Sequence, residues 1–510
     1  MFDSASLDHH ISKTAYRREE PKLREGLLNA QYDLKQNGRF ATLILIAGVE
    51  GAGKGETVNL LNEWMDPRHI VVQGFTDPSD EEQERPRVWR YWRALPPRGS
   101  IGMFFGAWHT QPIVSRVSGE ISQSRFEQHI SEILRLERML VDEGVLLLKF
   151  WFHLSKPQQR KRLKELEDDP LTRWRVTKQD WALFKRYDDF RKVSEDFVRS
   201  TDTGEAPWLV VPGADPRYRS LMVGRTLLAA LRERLDEKPG KQAPDRSPPL
   251  LPAADRMNVI RALQLDQPLS RKAYEKALEK YQGHLNQLMR DPRMAETSVV
   301  AVFEGNDAAG KGGAIRRLTQ ALDARRYHTH SVAAPTEEER AQPYLWRFWR
   351  HIPRRRRLTI FDRSWYGRVL VERVEKFCAE ADWMRAYSEI NDFEQQLADH
   401  RIIVVKFWLA ISKEEQYRRF KAREKIAFKR FKITAEDWRN RKRWNDYEQA
   451  VCDMVERTST VAAPWTLVEA DNKLHARIKV LRTLVESIES RLKEIKAPAA
   501  SKAGGKSGRR

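Results

Sequence analysis

A long internal repeat governs what this chain can fold into. ILIAGVEGAGKGET (44–57) aligns with AVFEGNDAAGKGGA (301–314), which sets Lys54 opposite Lys311 at an offset of 257. The same offset pairs PRVWRYWRALP (86–96) with PYLWRFWRHIP (343–353), where six of eleven positions are identical. It also pairs LKFWFHLSK (148–156) with VKFWLAISK (405–413), and RWRVTKQDW (173–181) with RFKITAEDW (430–438). The register holds without net insertion from about residue 43 to 210, so the chain is two tandem copies of one domain. Each copy runs to about 240 residues, too long a period for a solenoid. The expected boundaries are 1–237 and 256–496. Between them lies the Pro-rich linker KPGKQAPDRSPPLLPAAD (238–255), and after them a small, basic tail at 497–510 that reads as disordered.

Each copy repeats one pattern. In the second, apolar runs near 298–303, 329–333, 357–361, 402–409 and 465–469 alternate with charged, helix-periodic stretches. Runs such as IIVVKFWL are continuously apolar, as strands buried on both faces of a parallel sheet must be. The expected fold is therefore α/β: two tandem doubly wound domains, each a mostly parallel sheet flanked by helices.

Composition narrows the functional classes. In 510 residues, Lys+Arg total 92 and Asp+Glu 72, a formal charge of +20. Charged residues make up 32% and hydrophobic ones 41%, which excludes both a membrane-embedded chain and wholesale disorder. Two cysteines, Cys378 and Cys452, exclude a disulfide scaffold and a cysteine-based zinc site. The opening segment has no apolar core of a secretory signal, and ATLILIAGV (41–49) is far shorter than the ~18–20 residues a bilayer span needs. The expectation is a cytoplasmic protein with no membrane association and an anionic partner.

The strongest local signal is VVAVFEGNDAAGKGGAIRRL (299–318), which reads as strand, loop, helix. Gly305 and Gly310 bracket four residues and Lys311 follows, giving the G-x4-G-K spacing of a phosphate loop. The backbone amides of Ala308, Ala309, Gly310 and Gly312 can converge on phosphate at a helix N-terminus, with Lys311 adding a full charge. The Ser/Thr that ordinarily reaches Mg²⁺ is replaced by Gly312, so the metal must be held elsewhere. A second element, LTIFDRSWYGRVLVERV (358–374), ends an apolar strand in Asp362, where a metal-facing carboxylate belongs, followed by Arg363. The third is ISKEEQYRRFKAREKIAFKRFKITAEDWRNRKR (411–443), with thirteen Lys/Arg against five Asp/Glu. It reads as a helical basic lid that closes over a polyanion.

EGNDAAGKGGAI (304–315), APTEEE (334–339), FDRSWYGRVLVERV (361–374) and KRFKITAEDWRNRKRW (429–444) resemble the polyphosphate kinase 2 family. The resemblance covers the second copy and, more weakly, the first, and the tandem layout is similar to the family's two-domain members. It implies a thymidylate-kinase-like P-loop fold and Mg²⁺-dependent transfer of a terminal phosphoryl from inorganic polyphosphate to AMP, giving ADP. By that resemblance Lys311 and the loop hold donor phosphates, while Asp307 and Asp362 serve Mg²⁺ and the orientation of the acceptor phosphate. Arg363 and Arg368 contact nucleotide or the transferring phosphoryl, and Arg419, Arg423 and Arg430 close over the chain. A homo-oligomer is compatible with the sequence.

The offset tests each of these positions in the first copy. Lys311 becomes Lys54 and Asp307 becomes Glu50, but Asp362 becomes Phe105, Arg363 Gly106 and Arg368 Gln111. A phenylalanine cannot hold a metal, so the first copy is expected to be catalytically dead, leaving it either a polyphosphate binder or a structural partner. Two rival readings remain at this stage. An ATP-dependent nucleotide kinase would use the same loop and Asp–Arg pair. A non-enzymatic polyanion or nucleic-acid binder would use the charge and the 16 Trp, but would gain nothing from Asp307 and Asp362.

Overall fold

The computed structural model describes residues 2–7, 9–237 and 259–495; the expected linker and tail lie outside the described residues. The chain divides into two compact units: Met1–Ser79 with Val88–Pro244 and Pro335–Arg347, and Asp80–Arg87 with Asp245–Ala334 and Phe348–Arg510.

The first unit holds strands β1 (Thr42–Gly48), β2 (Ile70–Gly74), β3 (Ile101–Phe105), β4 (Leu146–His153) and β5 (Trp208–Pro212). They form one parallel sheet in the order β2-β3-β1-β4-β5. The second unit repeats this with β6 (Ser298–Gly305), β7 (Tyr327–Ser331), β8 (Leu358–Asp362), β9 (Ile402–Ala410) and β10 (Trp465–Glu469). Its order is β7-β8-β6-β9-β10, again all parallel. Both sheets thus carry their first strand in the centre, and the chain leaves it first to one side and later to the other. In such sheets the crevice beyond the carboxyl ends of the strands is where ligands sit. The fold expected from the alternation of apolar runs is the one observed, with β7 beginning two residues earlier than its apolar run.

The continuous apolar runs behave as their pattern demands. All nine residues of β9 are buried, Lys406 among them. The helices Arg271–Arg290 and Lys473–Glu494 cover one face, where Leu285, Leu288 and Met289 meet Val480, Leu484 and Ile488 over Val299, Ala301 and Phe303 of β6. Each of these valine, leucine, isoleucine, methionine and phenylalanine side chains withdrawn from water contributes roughly 1.5–3 kcal/mol. Polar side chains start the helices where the sequence offers them. Ser270 accepts from Ala273 N, Ser412 from Glu415 N, and Thr434 forms a reciprocal box with Asp437. The basic segment 411–443 folds as the helix Lys413–Glu424, a short 3₁₀ turn Ala427–Lys432 and the helix Ala435–Lys442. Among the described residues, no helix is long and apolar enough to cross a membrane.

Candidate active site in the second copy

The loop after β6 is shaped by backbone conformations that few residues tolerate. Gly305 has φ 148°, and a Cβ there would press into the backbone of Leu409 on β9. Gly310 caps the helix Lys311–Thr319 at φ 114°. Ala308 takes φ 65°, a left-handed conformation unusual for a residue with a side chain, and a sign of a tightly determined loop. Asn306 ties the loop to the sheet: its backbone N–H donates to Leu409 O at 3.2 Å, and its side-chain oxygen accepts from Ile411 N at 3.2 Å. Lys311 Nζ donates to Gly305 O at 2.7 Å, so its ammonium lies folded back over the loop. Gly312 is exposed, and nothing lies within 4 Å of where its Cβ would be.

Asp362 ends β8 in register with Phe303, immediately before the loop. Arg363 then turns left-handed at φ 64°, its N–H bonded to Phe303 O at 3.0 Å. This turn sends the Arg363 guanidinium back to Asp307, with Nη2 to Oδ1 at 3.3 Å. The second oxygen of Asp307 accepts from Asn440 Nδ2 at 3.0 Å. Partial burial opposes the charge on Arg363, but Asp307, Glu304, Glu436 and Asp362 surround it and hold it more firmly protonated than usual. Glu304 is itself buried, accepts from Ser364 Oγ at 2.9 Å, and has its carboxyl pushed up by burial against the pull of Lys311. A cavity of about 90 Å³ opens here, with Asp307, Arg363, Glu436, Asn440, Trp444 and Tyr447 in its lining.

A larger, basic cavity of about 310 Å³ also borders the loop. Ala308, Ala309, Gly310 and Gly313 form its floor; Arg418, Arg423, Lys473 and Arg477 line its walls. Burial, and then the neighbouring Arg419 charge, draw the Lys473 ammonium down to about 8. Arg419 also borders this cavity but is committed elsewhere. It bonds Ala308 O, Ala309 O, Ala470 O and Asp471 O at 2.7–3.0 Å and Glu415 at 2.5 Å. A guanidinium has five N–H donors, and all five are used, so Arg419 braces the loop from behind.

The structure thus brings Asp307, Arg363 and the loop together, with Asp362 adjacent and Arg423 at the basic cavity. It leaves Arg368 and Arg430 outside both cavities. Arg368 is paired with Glu372 at 3.1 Å, and exposed Arg430 donates to Glu424 O at 3.0 Å. The sequence reading missed Glu304, Asn440 and Tyr447. The repeat offset held the signal, since their first-copy counterparts are Ala47, Leu183 and Phe190. It also missed Lys473 and Arg477, which sit at the start of the last helix, far along the chain from any motif.

A buried network holds the Asp362–Arg363 turn in place. Lys406 Nζ donates to Glu394, to Tyr366 Oη and to Thr458 O, each at 2.7 Å. Glu394 accepts in addition from Trp365 Nε1 at 3.0 Å and Tyr366 Oη at 2.7 Å. Lys149, Glu137 and Trp108 build the counterpart in the first copy.

A family model described as Polyphosphate kinase 2 matches residues 10–239 and again 268–496. The chain belongs to the polyphosphate kinase 2 family. Across 97% of its length, and all of that relative, it is 58% identical to a polyphosphate:AMP phosphotransferase of Pseudomonas aeruginosa. A polyphosphate:AMP phosphotransferase of Acinetobacter johnsonii is 38% identical over 92% of this chain and 96% of its own. In three dimensions, a crystal structure from Pseudomonas aeruginosa PA01, assigned to polyphosphate kinase 2, superposes with a TM-score of 0.88 at 56% identity. It covers 97% of this chain and 100% of that one. The two matches to polyphosphate kinase 2 together span nearly the whole described chain.

Proposed function

We propose that the chain moves the terminal phosphoryl group of inorganic polyphosphate to AMP, giving ADP, at the carboxyl ends of β6 and β8. The observation that carries this reading is the full-length identity to relatives named for that reaction. In the transfer, an ionised phosphate oxygen of AMP attacks the terminal phosphorus. The bridging P–O bond breaks, and the donor leaves one phosphate shorter with the bridging oxygen. No proton need be removed from the nucleophile, so the task is positioning and charge neutralisation. This suits a site of Lys, Arg and Asp without a histidine base.

In this reading the loop amides and Lys311 cradle the donor's terminal phosphates. The basic cavity walled by Arg418, Arg423, Lys473 and Arg477 carries the trailing polyanion, whose recurring charges suit a groove better than a compact pocket. Arg363 neutralises the transferring group. The cavity beside Asp307, Trp444 and Tyr447 receives the acceptor.

Mg²⁺ is the implied cofactor. The donor set fits it: aspartate oxygens of Asp307 and Asp362 at the mouth of a phosphate loop suit a hard cation that fills its other positions with water and phosphate oxygens. When bound, the ion neutralises charge on the donor phosphates. Asn440 and Arg363 fix the Asp307 carboxylate, and the Lys406 network fixes the turn carrying Asp362. The test supplies AMP and Mg²⁺ with either polyphosphate or ATP and measures ADP. Formation of ADP from ATP and not from polyphosphate would refute the donor assignment.

A further inference from the structure

The first copy keeps a phosphate loop, Gly48 to Lys54, and the sequence leaves open whether it binds polyphosphate. Its loop is stabilised at the same two carbonyls as its counterpart, but by a different arginine. In the second copy Arg419 reaches Ala309 O and Ala470 O from the helix Lys413–Glu424, behind the loop. In the first copy the equivalent carbonyls, Ala52 O and Gly213 O, accept from Arg219 at 3.4 and 2.9 Å. Arg219 comes instead from the helix Pro216–Asp236, and its second-copy counterpart is Ala476, part of the lining of the basic cavity.

That route carries the guanidinium through the space a phosphate chain would need. A methyl group built on Gly53 would overlap the Arg219 guanidinium, whereas nothing lies within 4 Å of the same position on Gly310. Arg219 is 3% exposed and ion-paired to Glu56 at 2.6 Å. Glu56 stands where the second copy has Gly313, and also pairs with Arg162, the counterpart of Arg419, at 2.7 Å. Burial opposes ionisation of Glu56, but the two arginines hold its carboxyl below the usual range. The remaining cation of the loop is also paired, with Lys54 Nζ 2.7 Å from Glu50.

We propose that the first copy's phosphate groove is closed by its own Arg219–Glu56 pair, so that each chain binds polyphosphate in the second copy alone. A polyanion approaching the first loop would meet the Glu50 carboxylate already bonded to Lys54, the Glu56 carboxylate, and the Arg219 side chain filling its path. Charge repulsion and lost volume act together there, whereas Gly310 and Gly313 place neither a carboxylate nor a side chain at the corresponding points of the second copy. The inference rests on the donor assignment above and extends it to the first copy, a groove closed by two residues and poorer in cations than its counterpart.

The experiment titrates the full chain with tripolyphosphate by calorimetry at physiological salt, where diffuse binding to the basic surface is screened. The wild type takes up one equivalent. Arg219→Ala with Glu56→Gly, the residue types found in the second copy, takes up a second, because Arg162 is then released to brace the loop as Arg419 does; this second equivalent binds more weakly, since Leu166, Pro216 and Ser220 stand where the second copy has Arg423, Lys473 and Arg477. ADP formation is unchanged in this variant. Should the variant fail to fold, Lys54→Ala in the otherwise native chain decides: its titration matches the wild type. Two equivalents in the wild type, a folded double variant that still binds one, or loss of binding with Lys54→Ala would each overturn the proposal. Absence of binding and of ADP in the wild type would instead sink the donor assignment itself.

Discussion

Glu394→Gln separates what the buried network does for stability from what it does for catalysis. Glu394 and Lys406 are both 0% exposed at their side chains and 2.7 Å apart. Burial pushes the glutamate carboxyl up and the lysine ammonium down, each countered by the other's charge. Replacing the carboxylate by an amide leaves the Lys406 ammonium buried without its counter-charge, and breaking such a pair from one side costs about 3–5 kcal/mol. For a unit of this size, 1 kcal/mol shifts the melting temperature by about 2–4 °C, so the second unit should melt roughly 6–20 °C lower. The same change at Glu137, whose partner Lys149 is likewise buried, should destabilise the first unit by a comparable amount. Only Glu394→Gln should lower kcat below both melting transitions, because Trp365 and Tyr366, which bond Glu394, are joined to the Asp362–Arg363 turn through Ser364 alone. The assay is calorimetric unfolding of both variants with ADP formation at low temperature. Equal kcat losses in the two variants, or a Glu394→Gln melting shift under about 2 °C, would refute the reasoning, the latter corresponding to less than about 1 kcal/mol.

Other consequences are as direct. Asp362→Asn should reduce ADP formation by about 10²–10³-fold while leaving the melting temperature close to the native one, and chelation of divalent cations should have a similar effect on rate. With the Lys473 ammonium near 8, polyphosphate binding should weaken as pH rises from 7 to 9. If the bound anion restores its ordinary value of 10.5, the free protein must take up a proton to bind above pH 8, and affinity falls about tenfold at pH 9. Lys473→Arg should flatten that slope; a slope unchanged by it refutes the assignment. Arg419→Lys keeps the charge but cannot span four carbonyls and a carboxylate, so KM for polyphosphate should rise more than KM for AMP.

The two-domain plan, the parallel α/β class and the phosphate loop could all be read from the chain, because each depends on local pattern. Repeated motifs reveal duplication, continuous apolar strands reveal burial on both faces, and glycine spacing reveals a loop that must approach phosphate closely. Even the loss of Asp362 and Arg363 to Phe105 and Gly106 was a comparison of letters at one offset. Which arginines face the ligand was not legible in this way. Arg419 looked like a phosphate ligand and is a brace with every donor used, whereas Lys473 and Arg477 carry no motif and line the basic cavity. Arg219 is an unremarked residue on a long helix until folding lays it across Gly53. Sequence pattern records which face of an element is buried. The direction and reach of a long charged side chain depend on what other elements bring to meet it, and only the packed structure decides that.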